Sequence, residues 1–170
     1  YYVLHKNLPL KTKAKIFPDG RSQIIYNKND RIILIDYAHT KEAFENLLSN
    51  LPLDLSRRII IFGCGGDRDK TKRSKMAKIA SKYTDIQIIT DDNPRNENPS
   101  DIRKILFENS FNPIEIPSRK KAIARGVKLL KNKKGLLIIA GKGHENTQIY
   151  KNKKLTFNDY KVAKSYAKYL

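Results

Sequence analysis

The fold of this chain is indicated most clearly by residues 58–70, which read Arg58-Ile59-Ile60-Ile61-Phe62-Gly63-Cys64-Gly65-Gly66-Asp67-Arg68-Asp69-Lys70. Ile59 to Phe62 form a short continuous apolar run, which is typical of a strand buried on both faces of a parallel sheet. The glycines that follow let the backbone turn sharply and approach a ligand closely. Their spacing matches neither a Walker A loop nor the dinucleotide-binding motif. The stretch therefore predicts a buried strand that ends in a polar, ligand-facing loop.

Strands and helices alternate in both directions from this stretch. Before it, residues 22–26 and 31–36 predict a strand pair, and Thr40 can cap the helix that follows. The segments predicted after it are helices at 72–82 and after the caps Ser100, Ser118 and Asp159, strands at 85–90, 113–116 and 136–140, and a hairpin of 147–150 with 154–157. This alternation predicts an α/β, Rossmann-like fold, with a mostly parallel sheet and helices on both faces.

The chain of 170 residues is long enough for one domain with a real core. Residues 1–18 show weak periodicity and are interpreted as a leader or hinge, which leaves 19–170 as the domain. The sequence has no secretory signal and no apolar run near the roughly 18 residues that cross a bilayer. Its one cysteine cannot form an internal disulfide. We therefore expect a cytoplasmic protein with no membrane partner.

The formal net charge of +18 has two interpretations. A basic surface can bind nucleic acid, whereas scattered lysines are usually solvated surface residues. The lysines here are spread along the predicted helices and turns, without an accompanying surface of aromatic residues. We therefore favour the solvated surface and keep a basic nucleic-acid-binding α/β module as a distant alternative.

Four polar loops follow predicted strands, at residues 36–40, 63–70, 90–99 and 141–145. In parallel α/β sheets, ligands bind beyond the carboxyl ends of the strands, so these loops form the candidate site. Each loop alone also has a purely structural interpretation. A strand end, a helix cap or a surface turn would explain the same residues.

The first two loops offer polar groups of several kinds. Asp36 could accept hydrogen bonds from ribose hydroxyls and His39 could donate to a phosphate, or Asp36 could simply end the strand. In the second loop, Arg68 lies among aspartates and glycines, a combination that suits a charged small molecule. Cys64 is interpreted as a small packed residue, because no histidine nearby in the sequence would activate it as a nucleophile.

The third and fourth loops suit the charged groups of an amino acid. Pro94 stiffens the chain between Asn93 and Arg95, and a rigid loop with an amide and a guanidinium suits recognition of a carboxylate. In the fourth loop, Glu145 could hold a substrate ammonium group. Glycine-rich turns of this size are common, so the fourth loop alone is a weak signal.

In this order, the four loops resemble the C-terminal domain of the Mur ligase family, and most closely its diaminopimelate-adding branch. The resemblance runs from about Gly20 to the C terminus. The matching stretches are Asp36-Tyr37-Ala38-His39-Thr40, Gly63 to Arg73, Asp92-Asn93-Pro94-Arg95 and Gly141 to Glu145. The family usually has a proline where this chain has Lys41, which is a mild departure at a position that only begins a helix.

The resemblance implies two sets of binding residues. The ATP-facing set that it implies consists of Arg21, Asp36, Tyr37 and His39. The diaminopimelate-binding set that it implies consists of Arg68, Asp92, Asn93, Arg95, Gly141 and Glu145. Diaminopimelate has two carboxylates and two ammonium groups, so it needs partners of both charges. On this interpretation Asn93 and Arg95 hold its distal end, and Glu145 pairs with an ammonium.

The resemblance also implies a longer enzyme. Family members have a UDP-sugar domain, a central ATPase domain and this C-terminal domain, so residues 1–18 would lead from a missing central domain. Such an enzyme would join meso-diaminopimelate to UDP-MurNAc-L-Ala-D-Glu through an acyl phosphate, with ATP and Mg²⁺. A lysine-adding Mur ligase or a domain like that of folylpolyglutamate synthase remains the alternative.

The catalytic centre of such an enzyme would lie outside this chain. The family's P-loop and magnesium ligands belong to the central domain, and no equivalent of them is found in this sequence. We therefore expect no catalytic residue and no metal ligand here. The domain alone is expected to hold no cofactor and to be inactive.

Overall fold

The computed structural model describes residues 20–51, 56–131 and 133–170. The leader or hinge predicted for residues 1–18 lies outside these ranges. In chain order the elements are β1 (Gln23–Lys28), β2 (Arg31–Asp36), α1 (Lys41–Ser49), β3 (Arg58–Phe62), α2 (Thr71–Tyr83), β4 (Ile86–Ile89), α3 (Pro99–Glu108), β5 (Pro113–Glu115), α4 (Arg119–Leu130), β6 (Gly135–Ala140), β7 (Thr147–Tyr150), β8 (Lys153–Thr156) and α5 (Asp159–Ala167). Within the described ranges, none of the helices has both the length and the apolar character needed to cross a membrane.

Six of the strands form one sheet in the order β1-β2-β6-β3-β4-β5. In the order from β2 to β5, all neighbouring strands are parallel. Strand β1 is the outermost strand on the other side and pairs antiparallel with β2. The mostly parallel sheet is therefore confirmed. Strand β6 lies between β2 and β3, although it comes much later in the chain. The carboxyl ends of β2, β6, β3 and β4 consequently meet along one edge of the sheet.

Helices cover both faces of the sheet because side chains alternate along each buried strand. On β3, Ile60 and Phe62 pack in the core under α1, α2 and α3, whereas Ile59 and Ile61 pack in the core under α4 and α5. All four side chains are fully buried. The continuous apolar run in β3 is thus explained by two separate cores, one on each face.

Helices α1 and α4 begin at their predicted caps. The Thr40 hydroxyl accepts a hydrogen bond from the backbone N–H of Ala43 at 3.2 Å. The Ser118 hydroxyl accepts one from the backbone N–H of Lys121 at 3.4 Å. Each hydroxyl satisfies a backbone donor of the first turn that has no partner inside the helix.

The predicted caps of α3 and α5 are wrong by one or two positions. Helix α3 begins at Pro99, whose missing N–H suits the first helical position, so the cap is Asn98 and its side chain accepts from the backbone N–H of Ser100. Helix α5 is capped by Asn158, and Asp159 is its first helical residue. In both cases an asparagine one or two residues before the predicted cap provides the capping oxygen.

The carboxylate of Asp159 is used instead in a buried ion pair with Arg119. Both side chains are 0% exposed, and Arg119 Nη2 lies 2.8 Å from Asp159 Oδ2. The same nitrogen donates to the carbonyl oxygen of Ala140 at 2.9 Å. The pair therefore ties α4 and α5 to the end of β6, where the fourth loop begins.

Candidate functional site

The four predicted loops line one cavity of about 500 Å³ at the carboxyl ends of β2, β6, β3 and β4. Every member of the predicted diaminopimelate-binding set lines it, namely Arg68, Asp92, Asn93, Arg95, Gly141 and Glu145. These residues come from three loops that are far apart in the chain. They share one site because the parallel strands before them are neighbours in the sheet.

A second cavity, of about 340 Å³, is lined by the predicted ATP-facing set. That set consists of Arg21, Asp36, Tyr37 and His39. Tyr37, His39 and Thr40 line both cavities, so the two spaces are neighbours. The two cavities thus lie side by side at the carboxyl end of β2.

Asp36, the last residue of β2, organises the backbone around the second cavity. Its Oδ2 accepts from the backbone N–H of Ser22 at 2.7 Å, and its Oδ1 accepts from the backbone N–H of Ala38 at 2.7 Å. The carboxylate therefore has the structural role that the sequence left open. A carboxylate has about four lone-pair positions, so a role toward a ligand stays compatible with these bonds.

Tyr37 lies at the centre of a small group of planar side chains. The centre of its ring is 4.6 Å from that of His39 and 5.2 Å from that of His144. The guanidinium of Arg21 lies 5.9 Å from the Tyr37 ring, within reach of a cation–π interaction. His144 was not selected from the sequence as a site residue. Its ring packs near that of Tyr37, so that the fourth loop contacts the first.

Lys142 is fully buried and contacts three acidic or amide side chains of the first cavity. Its Nζ lies 2.9 Å from Glu145 Oε2, 3.1 Å from Asn93 Oδ1 and 3.5 Å from Asp92 Oδ1. All three partners are site residues predicted from the sequence, whereas Lys142 is not. The available signal was a lysine between two glycines in a strand-end loop, three residues before an acid.

Glu145 is held as a charged carboxylate by these contacts. Its Oε2 accepts from Lys142 and, at 2.9 Å, from Asn93 Nδ2. Burial acts to raise the pKa of Glu145, but the hydrogen bonds from Lys142 and Asn93 outweigh it, and the pKa is lowered from 4.5. Its Oε1 accepts no hydrogen bond from the residues that the structure describes, so one oxygen remains for a ligand.

Gly141 permits the close approach of the third and fourth loops. Its φ of +110° lies in a region that L-residues rarely adopt. A Cβ at this position would lie only 2.8 Å from Asp92 Oδ2. Glycine is therefore required here both by the backbone and by the neighbouring carboxylate.

Arg95 is fixed through its backbone as well as its side chain. Its N–H donates to the carbonyl oxygen of Ile149 at 3.0 Å, and its own carbonyl accepts from Lys151 at 2.6 Å. Nη1 donates to the carbonyl oxygen of Gly66 at 2.9 Å. The side-chain hydrogen bonds that Arg95 forms with the described residues all use Nη1, which leaves Nη2 and Nε for an anionic ligand.

The β7–β8 hairpin fixes the third loop from outside the main sheet. Gln148 Nε2 donates to the carbonyl oxygens of Asp91 and Asp92, at 3.2 and 3.0 Å. The backbone N–H of Ile149 donates to Asn93 Oδ1 at 3.1 Å. The sequence predicted this hairpin but not its role, because its packing partner is not encoded in the local pattern.

Arg73 and Glu97 lock the second loop to the third. The Arg73 side chain is 1% exposed, and its guanidinium pairs with both oxygens of Glu97, at 2.8 and 3.0 Å. Glu97 Oε1 also accepts from the backbone N–H of Asp67 at 2.7 Å. Mainly because of the hydrogen bond from Arg73, the pKa of Glu97 falls from 4.5 to about 2. The pair is not predicted from the sequence, since neither residue stands out from its local neighbours.

We expect Glu97→Gln to lower the free energy of unfolding at about pH 7 by roughly 1–3 kcal/mol, the contribution of a hydrogen bond to a charged group. Because the folded pKa of Glu97 lies below its ordinary value of 4.5, its contribution is full above that pH and is lost as the pH falls toward about 2. Urea unfolding of the chain across this range checks the expectation.

The wild type should lose stability more steeply than Glu97→Gln between about pH 5 and pH 2. Glu108→Gln is the matched control, because Glu108 is 58% exposed and its ion pair with Lys104 is long, at 3.9 Å. That control should follow the wild-type curve. Parallel curves for wild type and Glu97→Gln would contradict the role of the Arg73 pair.

Cys64 is a packed residue, as predicted. It is 3% exposed, and its Sγ lies 3.9 Å from the sulfur of Met76. Burial raises the pKa of the thiol from 9.0 to about 12. The thiol therefore stays protonated at neutral pH, which does not suit a nucleophile.

The family model described as Mur ligase, glutamate ligase domain, matches residues 20–143, well over half of the chain. The chain belongs to the Mur ligase family. The resemblance inferred from the four loops is confirmed at this level.

Relatives of this Mur ligase domain carry the name UDP-N-acetylmuramoyl-L-alanyl-D-glutamate–2,6-diaminopimelate ligase. The protein of that name from Anaplasma marginale is 45% identical over 157 residues, which cover 91% of this chain and 32% of the relative. The one from Rickettsia bellii is 47% identical over 157 residues, covering 89% of this chain and 32% of the relative. The chain thus spans about a third of the length of these relatives.

Solved structures agree with the Mur ligase assignment. A structure of UDP-N-acetylmuramoyl-L-alanyl-D-glutamate–2,6-diaminopimelate ligase superimposes with a TM-score of 0.81 at 32% identity, covering 91% of this chain and 32% of that one. A folylpolyglutamate synthase from Mycobacterium tuberculosis superimposes with a TM-score of 0.60 at 16% identity, covering 74% of this chain and 30% of that one. The second similarity shows a shared fold only.

Proposed function

We propose that this chain is the C-terminal, substrate-binding domain of an ATP-dependent ligase that adds meso-diaminopimelate to UDP-MurNAc-L-Ala-D-Glu in peptidoglycan synthesis. The observation that carries the proposal is the mixed charge of the first cavity, where Arg68, Arg95 and Glu145 line the same space. The name of the relatives supports it. In this proposal residues 19–170 form the domain and residues 1–18 lead from a central domain.

The charges of the cavity complement those of diaminopimelate. The amino acid has an ammonium and a carboxylate at each end. Arg95 has unused N–H donors for the distal carboxylate, and Asn93 lies beside it. Glu145 has an unused oxygen for an ammonium. Arg68 is exposed at the cavity and can contact the second carboxylate.

The proposed reaction has two steps. ATP phosphorylates the terminal carboxylate of UDP-MurNAc-L-Ala-D-Glu, which gives an acyl phosphate and ADP. An uncharged amine of diaminopimelate then attacks the acyl carbon, loses its proton and displaces phosphate as the amide forms. By holding the charged groups of diaminopimelate that do not react, this domain would position that amine and, on closing, exclude water from the acyl phosphate. We place the reaction in the cytoplasm, where ATP is made.

The second cavity is the proposed ATP-facing side of the domain. Arg21 and His39 can donate hydrogen bonds to phosphate oxygens, and the Tyr37 ring offers a planar surface for the nucleotide. Across residues 20–51, 56–131 and 133–170, no group of three or more His, Cys, Asp or Glu side chains is arranged to hold a metal ion. We therefore assign Mg²⁺ to the proposed central domain and derive no step through it here.

The test is amide formation by the full-length ligase with ATP, UDP-MurNAc-L-Ala-D-Glu and either meso-diaminopimelate or lysine. Lysine lacks the distal carboxylate, so it would leave Arg95 without a partner. We expect a preference for diaminopimelate of at least roughly a hundredfold in kcat/KM. Equal or better use of lysine would replace the proposal by a lysine-adding ligase. Glutamate addition to a folate would indicate a folylpolyglutamate synthase instead.

A further inference from the structure

Lys142, in the fourth loop of the first cavity, has a completely buried side chain. Its side chain is 0% exposed, while its Asp92 and Glu145 partners remain 10% and 30% exposed. A buried ammonium is costly unless its donors are satisfied. An ammonium has three donors, and the three contacts to Glu145, Asn93 and Asp92 match that number.

These contacts determine how the neighbouring amide is oriented. Asn93 Oδ1 accepts from Lys142 and from the backbone N–H of Ile149, so its Nδ2 is turned toward Glu145. Glu145 Oε2 then receives both Nδ2 and the Lys142 ammonium. The result is a carboxylate with one oxygen fully engaged and the other left for a ligand.

Lys142 is the cation that pairs directly with both carboxylates of the cluster, Asp92 and Glu145. Arg95 and Arg119 also act on these carboxylates, but neither forms an ion pair with them among the described residues. Without Lys142, two carboxylates would share a partly buried space, which favours protonation of one of them. A protonated Glu145 would no longer attract an ammonium group.

We propose that Lys142 is a positioning residue for the incoming amino acid, which holds Glu145 and Asn93 so that the free Glu145 oxygen receives the substrate's ammonium. The inference rests on the proposed function, because it requires an amino-acid substrate in the first cavity. Lys142 itself does not touch the substrate. It acts through Glu145 and Asn93, and it links the fourth loop to the third.

The test is the steady-state kinetics of Lys142→Met in the full-length ligase. We expect the KM for the amino-acid substrate to rise roughly ten- to hundredfold, the loss of hydrogen bonds to a charged group. The KM values for ATP and for the UDP-sugar substrate should stay unchanged. The control is Lys134→Met, because Lys134 flanks the other end of β6 and forms an exposed pair with Asp30. That control should behave as wild type.

An unchanged KM for the amino acid, or an equal loss for all three substrates, would overturn the proposal. The measurement applies to whichever amino acid the wild-type ligase joins. If that amino acid is lysine, the proposed diaminopimelate specificity fails while the role of Lys142 is still decided by the variant. If the wild type joins none, both proposals fail.

A measurement on the wild-type chain decides the case in which Lys142→Met does not fold. Burial slows exchange with water, so the Lys142 ammonium should give a resolved ¹H–¹⁵N NMR signal at neutral pH. Adding meso-diaminopimelate should shift this signal together with the backbone amide of Glu145. A Glu145 shift without a Lys142 shift would overturn the positioning role. Shifts in neither would count against diaminopimelate as the ligand and against Lys142 as its positioning residue.

Discussion

Replacing Arg95 by alanine is expected to raise the activation free energy that corresponds to kcat/KM for meso-diaminopimelate by about 2–5 kcal/mol, the usual cost of truncating one partner of a charge pair that becomes buried when the ligand binds. This corresponds to a loss of roughly thirtyfold to several thousandfold. The reason is that Nη1 is engaged by the Gly66 carbonyl while the remaining donors are left for a carboxylate. The loss should appear mainly in the KM for diaminopimelate, measured by amide formation in the full-length ligase.

The same variant should also reduce the preference of the ligase for diaminopimelate over lysine, because lysine has no distal carboxylate for Arg95 to bind. Arg95→Lys keeps the charge but not the planar pair of donors, so it should recover only part of the loss. Arg125→Ala is the matched control, since Arg125 is an exposed residue of α4. If Arg95→Ala keeps the wild-type KM and selectivity, the third loop is only a structural turn. The proposal that diaminopimelate is the substrate then loses its main support.

Replacing Asp159 by alanine is expected to lower the free energy of unfolding by about 3–5 kcal/mol, because it leaves the Arg119 charge buried without its partner. Both side chains of the pair are 0% exposed. The double variant Arg119→Met with Asp159→Ala should lose less than the single variant, since no unpaired charge remains. Urea unfolding of the chain, followed by circular dichroism, measures all three proteins.

Glu108→Ala is the control for this series. Its pair with Lys104 is exposed and 3.9 Å long, so we expect a change of no more than about 0.5 kcal/mol. A double variant that loses as much stability as Asp159→Ala, or more, would contradict the cost of the unpaired Arg119 charge.

Local chemistry made much of the fold predictable. The apolar run Ile59 to Phe62 required two covered faces, and the structure supplies a core on each. Thr40 and Ser118 cap their helices as predicted, because capping depends on neighbouring backbone donors. Asn98 and Asn158 show where this reasoning fails, since an asparagine one or two residues before a predicted cap can take its place.

The contacts that hold the candidate site together were much less predictable. Lys142, Arg73 and Glu97 are ordinary charged residues in sequence, and their importance comes from ion pairs in which the Lys142 and Arg73 side chains are buried. Arg73 and Glu97 are 24 positions apart, and Lys142 and Asn93 are 49 apart. No local periodicity connects residues at such separations.

The sequence by itself determined the strands and helices of this protein, the four polar loops and the family to which they belong. It did so because apolar periodicity and glycine-rich turns act over a few neighbouring residues. Only the tertiary structure decided that β6 inserts between β2 and β3. That insertion brings the loop at 141–145 against the loop at 90–99, so that Lys142 is buried among the side chains of both. Strand order depends on how whole faces pack, and therefore on contacts that no single segment encodes.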